Sequence, residues 1–204
     1  MTSTARPGPV ARDDPRNVIV SGIKLGAIST LLIVAFALAS RALSGAPMVI
    51  VQIAILWAGG ALYSFLPAVL VRPRDADSMG WAVMVAVIAS VVFTILDTAI
   101  LRPLKLYSWT WDAIGGGSGF WYIPIWLMIS AFIAWMGCLI YAHRTDRNPE
   151  AGVVAGAIQT VAIAAVVFAL LTALKLAPFH AAVAGLSLGL ALVARAGVAA
   201  LQKR

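Results

Sequence analysis

Six apolar stretches, each long enough to cross a bilayer, decide what this chain can fold into. They run over residues 18–40, 48–71, 81–101, 120–142, 152–174 and 177–201, and each is bounded by charge, proline or glycine. A helix rising about 1.5 Å per residue needs ~20 residues to cross ~30 Å of hydrocarbon, and every run meets that length. Transmembrane strands would instead alternate polar and apolar residues over segments of ~10. These are unbroken runs of Leu, Ile, Val and Ala, so the sequence predicts an all-α, polytopic transmembrane bundle of six helices. Residues 1–17, rich in proline and charge, read as a disordered or surface-lying tail, and 18–204 as a single domain. Composition agrees: the chain is 62% hydrophobic and only 11% charged, whereas a soluble domain carries about 25% charge.

The net charge of +7 does not point to nucleic acid, because the basic residues sit at helix ends instead of forming a stripe. They report topology. With the N-terminus in the cytoplasm, that side holds Arg6, Arg12, Arg16, Lys24, Arg72, Arg74, Arg144, Arg147, Arg195, Lys203 and Arg204; the other side keeps Arg41, Arg102, Lys105 and Lys175. Both termini are therefore expected in the cytoplasm of a cell with a bacterial-type plasma membrane, and residues 102–119 become a long external loop. A competing reading makes the first apolar run a cleaved signal peptide ending near Ser44.

Cys138 is the lone cysteine, which excludes a disulfide within the chain and a cysteine metal cluster. The two histidines fall at opposite membrane faces, which argues against a histidine metal site or haem. The run "GGGSG" lacks the lysine and the preceding strand of a phosphate loop. No cofactor is expected.

Small residues at four-residue spacing, Gly152 with Gly156 and Gly185 with Gly189, predict a close pairing of the fifth and sixth helices or a homodimer face. Gly59, Gly60 and Pro67 read as packing and a kink in the second. "ILRPLKLYSW" and "LLTALKLAPF" are alike where the third and fifth helices reach the outer side.

Polar groups inside a membrane mark sites or bundle interiors. Asp97 lies five residues before Arg102, about 7 to 8 Å deeper along a helix, and is the only acid well inside an apolar run. Away from water the protonated acid is favoured, which suits a proton donor; Arg41 or Arg102 beside it favours the carboxylate. Asp97 is the candidate catalytic residue. Gln52 and His180 stand at similar depth and are expected to converge with it on one outward pocket. Gln159 with Thr160 reads as an interhelical hydrogen bond, and His143 as an interfacial side chain.

Between the third and fourth runs, "LRPLKLYSWTWDAIGGGSGFWYIPIW" collects four Trp and two Tyr around three consecutive glycines. An aromatic belt accounts for much of this, but aromatic faces also stabilise cations. Trp109, Trp111, Trp121, Tyr122 and Trp126, together with Gln52 and His180, are the candidate substrate-binding residues. The segment "ILDTAILRPLKLYSWTWDAIGGGSGFWYIPIWLMISAFIAW" resembles the core of membrane-bound carotenoid-biosynthesis proteins, the heterodimeric or fused-type lycopene cyclases and the bisanhydrobacterioruberin hydratases. The matching positions are Asp97, Trp109, Trp111, the Gly115–Gly117 run, Pro124 and Ile125. Where the cyclases carry paired acids after their "P-I", this chain has Trp126 and Leu127. The resemblance implies an isoprenoid or carotenoid substrate and cofactor-free cyclisation or hydration begun by an acid.

Three readings follow: an enzyme or binder of a hydrophobic, isoprenoid-like molecule; a non-catalytic subunit of a membrane complex; and a transporter component. For the last, a six-helix chain of this length looks like the substrate-capturing subunit of energy-coupling-factor vitamin transporters. The expected partners are membrane lipid, a hydrophobic small molecule, and a second copy or a complex partner.

Overall fold

The computed structural model describes residues 14–72, 76–106, 122–144 and 149–201. Among them are six helices long and apolar enough to cross a membrane: α1 (Pro15–Ala42), α2 (Gly45–Val71), α3 (Ala76–Leu96, continued by a wider turn at Asp97–Leu101), α4 (Tyr122–Arg144), α5 (Pro149–Ala173) and α6 (Ala181–Leu201). This is an all-α, multi-pass integral membrane protein. An even number of crossings puts the start of α1 and the end of α6 at one end of the bundle, called here the termini end.

The helix ends are set by local chemistry. Asp14 accepts the Arg16 N–H at 3.0 Å and Pro15 opens α1, a pairing suited to the orphan donors of a first turn. Asp77 in the first turn lets α3 start at Ala76, before the apolar run itself begins. At the far end, α3 and α5 finish alike. The Leu106 N–H bonds the Leu101 carbonyl at 3.2 Å and Leu176 bonds Leu171 at 2.9 Å, with Lys105 and Lys175 in the left-handed region at φ 48° and 56°. The two look-alike sequence segments are thus the same helix stop, in which a left-handed residue turns the chain so that the last carbonyls are satisfied. This stop also explains why α6 begins at Ala181 and not at 177.

Helix α2 is the hub and touches the other five, while α1 packs most extensively on α3. Lipid offers no hydrophobic drive between helices, so close approach falls to small residues. At Gly22 an added Cβ would stand 2.6 Å from the Ile88 Cβ, and at Gly26 2.8 Å from the Ala89 carbonyl. Gly137 of α4 lies directly on α2, where an added Cβ would overlap the Ser64 carbonyl oxygen. Ala68, Ala82, Ala86, Ala89, Ala134 and Ala191 are fully buried.

The expected close pairing of α5 and α6 is present, although their glycines are not what faces across it: Gly156 faces Phe65 and Ile140, Gly185 faces Leu56, and a Cβ on Gly189 would meet nothing. Glycine spacing identifies a smooth face without identifying its partner. Gly59 faces Leu32 and Gly60 faces Leu188, and Pro67 is buried inside α2. Large apolar side chains such as Leu31, Met128 and Val166 point outward, as a lipid-facing surface requires.

Candidate functional site at the end of the third helix

The last turn of α3 is wider than an α-helical one. The Arg102 N–H bonds the Asp97 carbonyl, five residues back, at 2.9 Å. With about 100° per residue, an ordinary helix would point residues five apart about 140° away from each other. The wider turn brings Arg102 back onto the Asp97 side, and its Nε sits 3.2 Å from Oδ2. Single π-type turns of this kind concentrate at functional or strained positions. Asp97 is 1% exposed, while the Arg102 side chain is 36% exposed. The carboxylate is buried and the guanidinium reaches out toward the interface.

Neighbouring helices brace this turn. The Arg41 guanidinium at the end of α1 donates to the Lys105 carbonyl. One residue earlier, the Ser40 hydroxyl accepts from Gln52 Nε2 of α2 at 2.8 Å. Gln52 is therefore tied to α1 rather than to Asp97, though both belong to the far-end polar layer. Trp126 of α4 packs edge-on against Phe93 with ring centroids 6.1 Å apart, one turn before Asp97. His180 stands elsewhere. Its Nδ1 accepts the Ala182 N–H at 3.1 Å, capping α6, next to a stack in which Phe168 contacts Phe179 and Trp57. Trp57 donates to the Ala184 carbonyl at 3.0 Å. Of the two residues expected to converge with Asp97, Gln52 bonds Ser40 and His180 bonds the start of α6. Trp109, Trp111, Trp121 and the side chain of Tyr122 lie outside the described residues.

Two polar groupings escape a reading of the sequence. At mid-bundle the Tyr63 hydroxyl lies 3.0 Å from Ser90 Oγ and donates to the Ala86 carbonyl at 3.2 Å, while Ser90 donates to Ser130 at 2.6 Å. One hydroxyl from each of α2, α3 and α4 thus meets at the centre, and that recurrence of a mid-run hydroxyl is the signal available in the sequence. Second, Arg195 of α6 crosses to α5, where it donates to the Gly156 carbonyl, to Thr160 Oγ1 at 2.5 Å and to Gln159 Oε1 at 3.3 Å. Gln159 and Thr160 do make the interhelical bond expected of them. Arg195, which counts only as a topology charge in the sequence, is their partner.

Among the described residues, His, Cys, Asp and Glu do not gather into a group able to hold a metal ion. A groove of about 180 Å³ opens at the termini end, between α1 and α2. No family model, curated protein or solved structure matches the chain.

Proposed function

We propose that this integral membrane protein is a non-catalytic subunit of a membrane complex. The observation that carries this reading is the Asp97–Arg102 pair. A catalytic acid needs a proton to give and an approach for its substrate. Here the carboxylate is 1% exposed and accepts a bond from the guanidinium that ends its own helix. That arrangement fixes where the chain leaves α3. The mid-bundle hydroxyls and Arg195 likewise spend their bonding on neighbouring helices, as befits a rigid scaffold. The aromatic segment that follows Arg102 in the sequence supplies the Trp and Tyr side chains that anchor protein interfaces. The test is size in native membranes: extracted in mild detergent, the protein should migrate in an assembly heavier than the same chain produced alone. Identical migration of the two would sink this reading.

A second reading, an isoprenoid-binding or carotenoid-modifying protein, is favoured by Trp126 and Phe93 forming an aromatic wall one turn from Asp97. It predicts a new pigment when the chain is expressed in a lycopene-producing host, and loss of that pigment with Asp97→Asn. Unchanged pigments would count against a carotenoid substrate.

A further inference from the structure

The groove at the termini end joins two kinds of surface. Asn17, Ser21 and Lys24 line it from α1, at spacings of four and three residues that put them on one helix face. Val18 and Val71, 2% and 5% exposed, lie at its base. Val20 and Leu70, also in its lining, are open to the lipid side. The surrounding charge is positive. Arg16, Lys24 and Arg72 stand at this end of α1 and α2, and Arg195 near the end of α6. The described acids at this end are Asp14, whose carboxylate already caps the Arg16 N–H, Asp77 at the start of α3 and Glu150 at the start of α5.

We propose that this groove is a binding site for an anionic phospholipid, with the phosphate headgroup at Lys24, Ser21 and Asn17 and the acyl chains lying over Val20 and Leu70. Lys24 stands about 10 Å deeper along α1 than Asn17. A lysine at that depth extends its apolar stem along the helix and carries the ammonium back toward the headgroup layer. A compact ammonium on a flexible stem suits a phosphate approached from varying angles, and the hydroxyl of Ser21 and the amide of Asn17 add hydrogen-bond donors. The apolar walls select a lipid over a free phosphate, because they bury acyl carbon that a soluble headgroup lacks. Basic pockets between transmembrane helices are recurrent anionic-lipid sites.

The test titrates the full chain, in detergent micelles, with phosphatidylglycerol and with phosphatidylcholine of the same acyl chains, and counts bound lipid by native mass spectrometry. Phosphatidylglycerol should bind more tightly. Lys24→Gln should weaken it about five-fold, the loss expected for one basic residue at a membrane surface. Lys24→Arg should retain it, and Lys175→Gln, at the opposite end, should leave it unchanged. Lys24 is exposed, so these variants keep the bundle intact. Equal binding of the two lipids, or an unchanged preference in Lys24→Gln, would overturn the proposal. So would displacement of the lipid by millimolar glycerol phosphate, which would place the specificity in the free headgroup.

Discussion

Arg102 holds Asp97 from two directions at once: its backbone N–H bonds the Asp97 carbonyl at 2.9 Å, and its Nε bonds the Asp97 carboxylate at 3.2 Å. The first bond needs the wide turn and the second exploits it. The ion pair and the backbone geometry therefore stabilise each other. Asp97→Asn should lower stability by about 2 kcal/mol, less than for a fully buried pair because Arg102 is partly solvated. Arg102→Gln should cost a similar amount, and the double variant less than the sum. Cys138 gives the readout: it is the lone thiol and fully buried, so its labelling rate in detergent reports unfolding.

Gly137 is the least replaceable described glycine in the bundle. Gly137→Ala would drive a methyl into the Ser64 carbonyl, with backbone on both sides of the contact and no flexible side chain to move. A loss of about 3 kcal/mol is expected, the upper range for overpacking. Gly189→Ala, where an added Cβ meets nothing, should be neutral or slightly stabilising, since alanine is the better helix former. Thermal unfolding in micelles distinguishes the two.

The mid-bundle hydroxyls should each be worth little. Interhelical hydrogen bonds in a membrane average about 0.6 kcal/mol because the separated helices find other partners. Tyr63→Phe, Ser90→Ala and Ser130→Ala should therefore each destabilise by less than about 1.5 kcal/mol. A loss several times larger in the thiol-labelling assay would show that the cluster does more than join α2, α3 and α4.

Lys105 and Lys175 sit in a backbone region that penalises a Cβ. Replacing Lys175 by glycine should raise stability by about 0.5 to 1 kcal/mol, a gain measurable as a higher melting temperature. A loss on substitution would mean that the lysine side chain itself stabilises the end of α5.

How far the sequence foretells this architecture depends on the scale of the feature. Six helices are legible because an apolar run of more than 20 residues has one stable outcome in lipid. Their ends are less so: α3 starts at Ala76 rather than 81, because the polar residues that break an apolar run are still good helix at an interface. The depth and isolation of Asp97 were readable, and Arg102 was one of two partners that proximity allowed. Choosing between them required the wide turn, which leaves no mark in residue type. The bonding partners of Gln52 and His180 are not legible in the sequence. Equal depth placed them in one layer with Asp97, but rotation about each helix decides what a side chain meets, and uniformly apolar helices conceal that rotation. Arg195 was misjudged for the same reason: a charge near a helix end reads as solvated until the neighbouring carbonyl of Gly156 is seen beside it.

The shared ending of α3 and α5 has a mechanical meaning. In each, the residue that carries the positive charge is also the left-handed residue that ends the helix, so charge and helix terminus cannot slip relative to each other. A residue inserted upstream is expected to slide or tilt the whole rod, because a lysine fixed at a helix end favours the water side of a bilayer. Leu-x-x-Leu-Lys-Leu, used twice, thus ties a positive charge to the tip of two of the six rods.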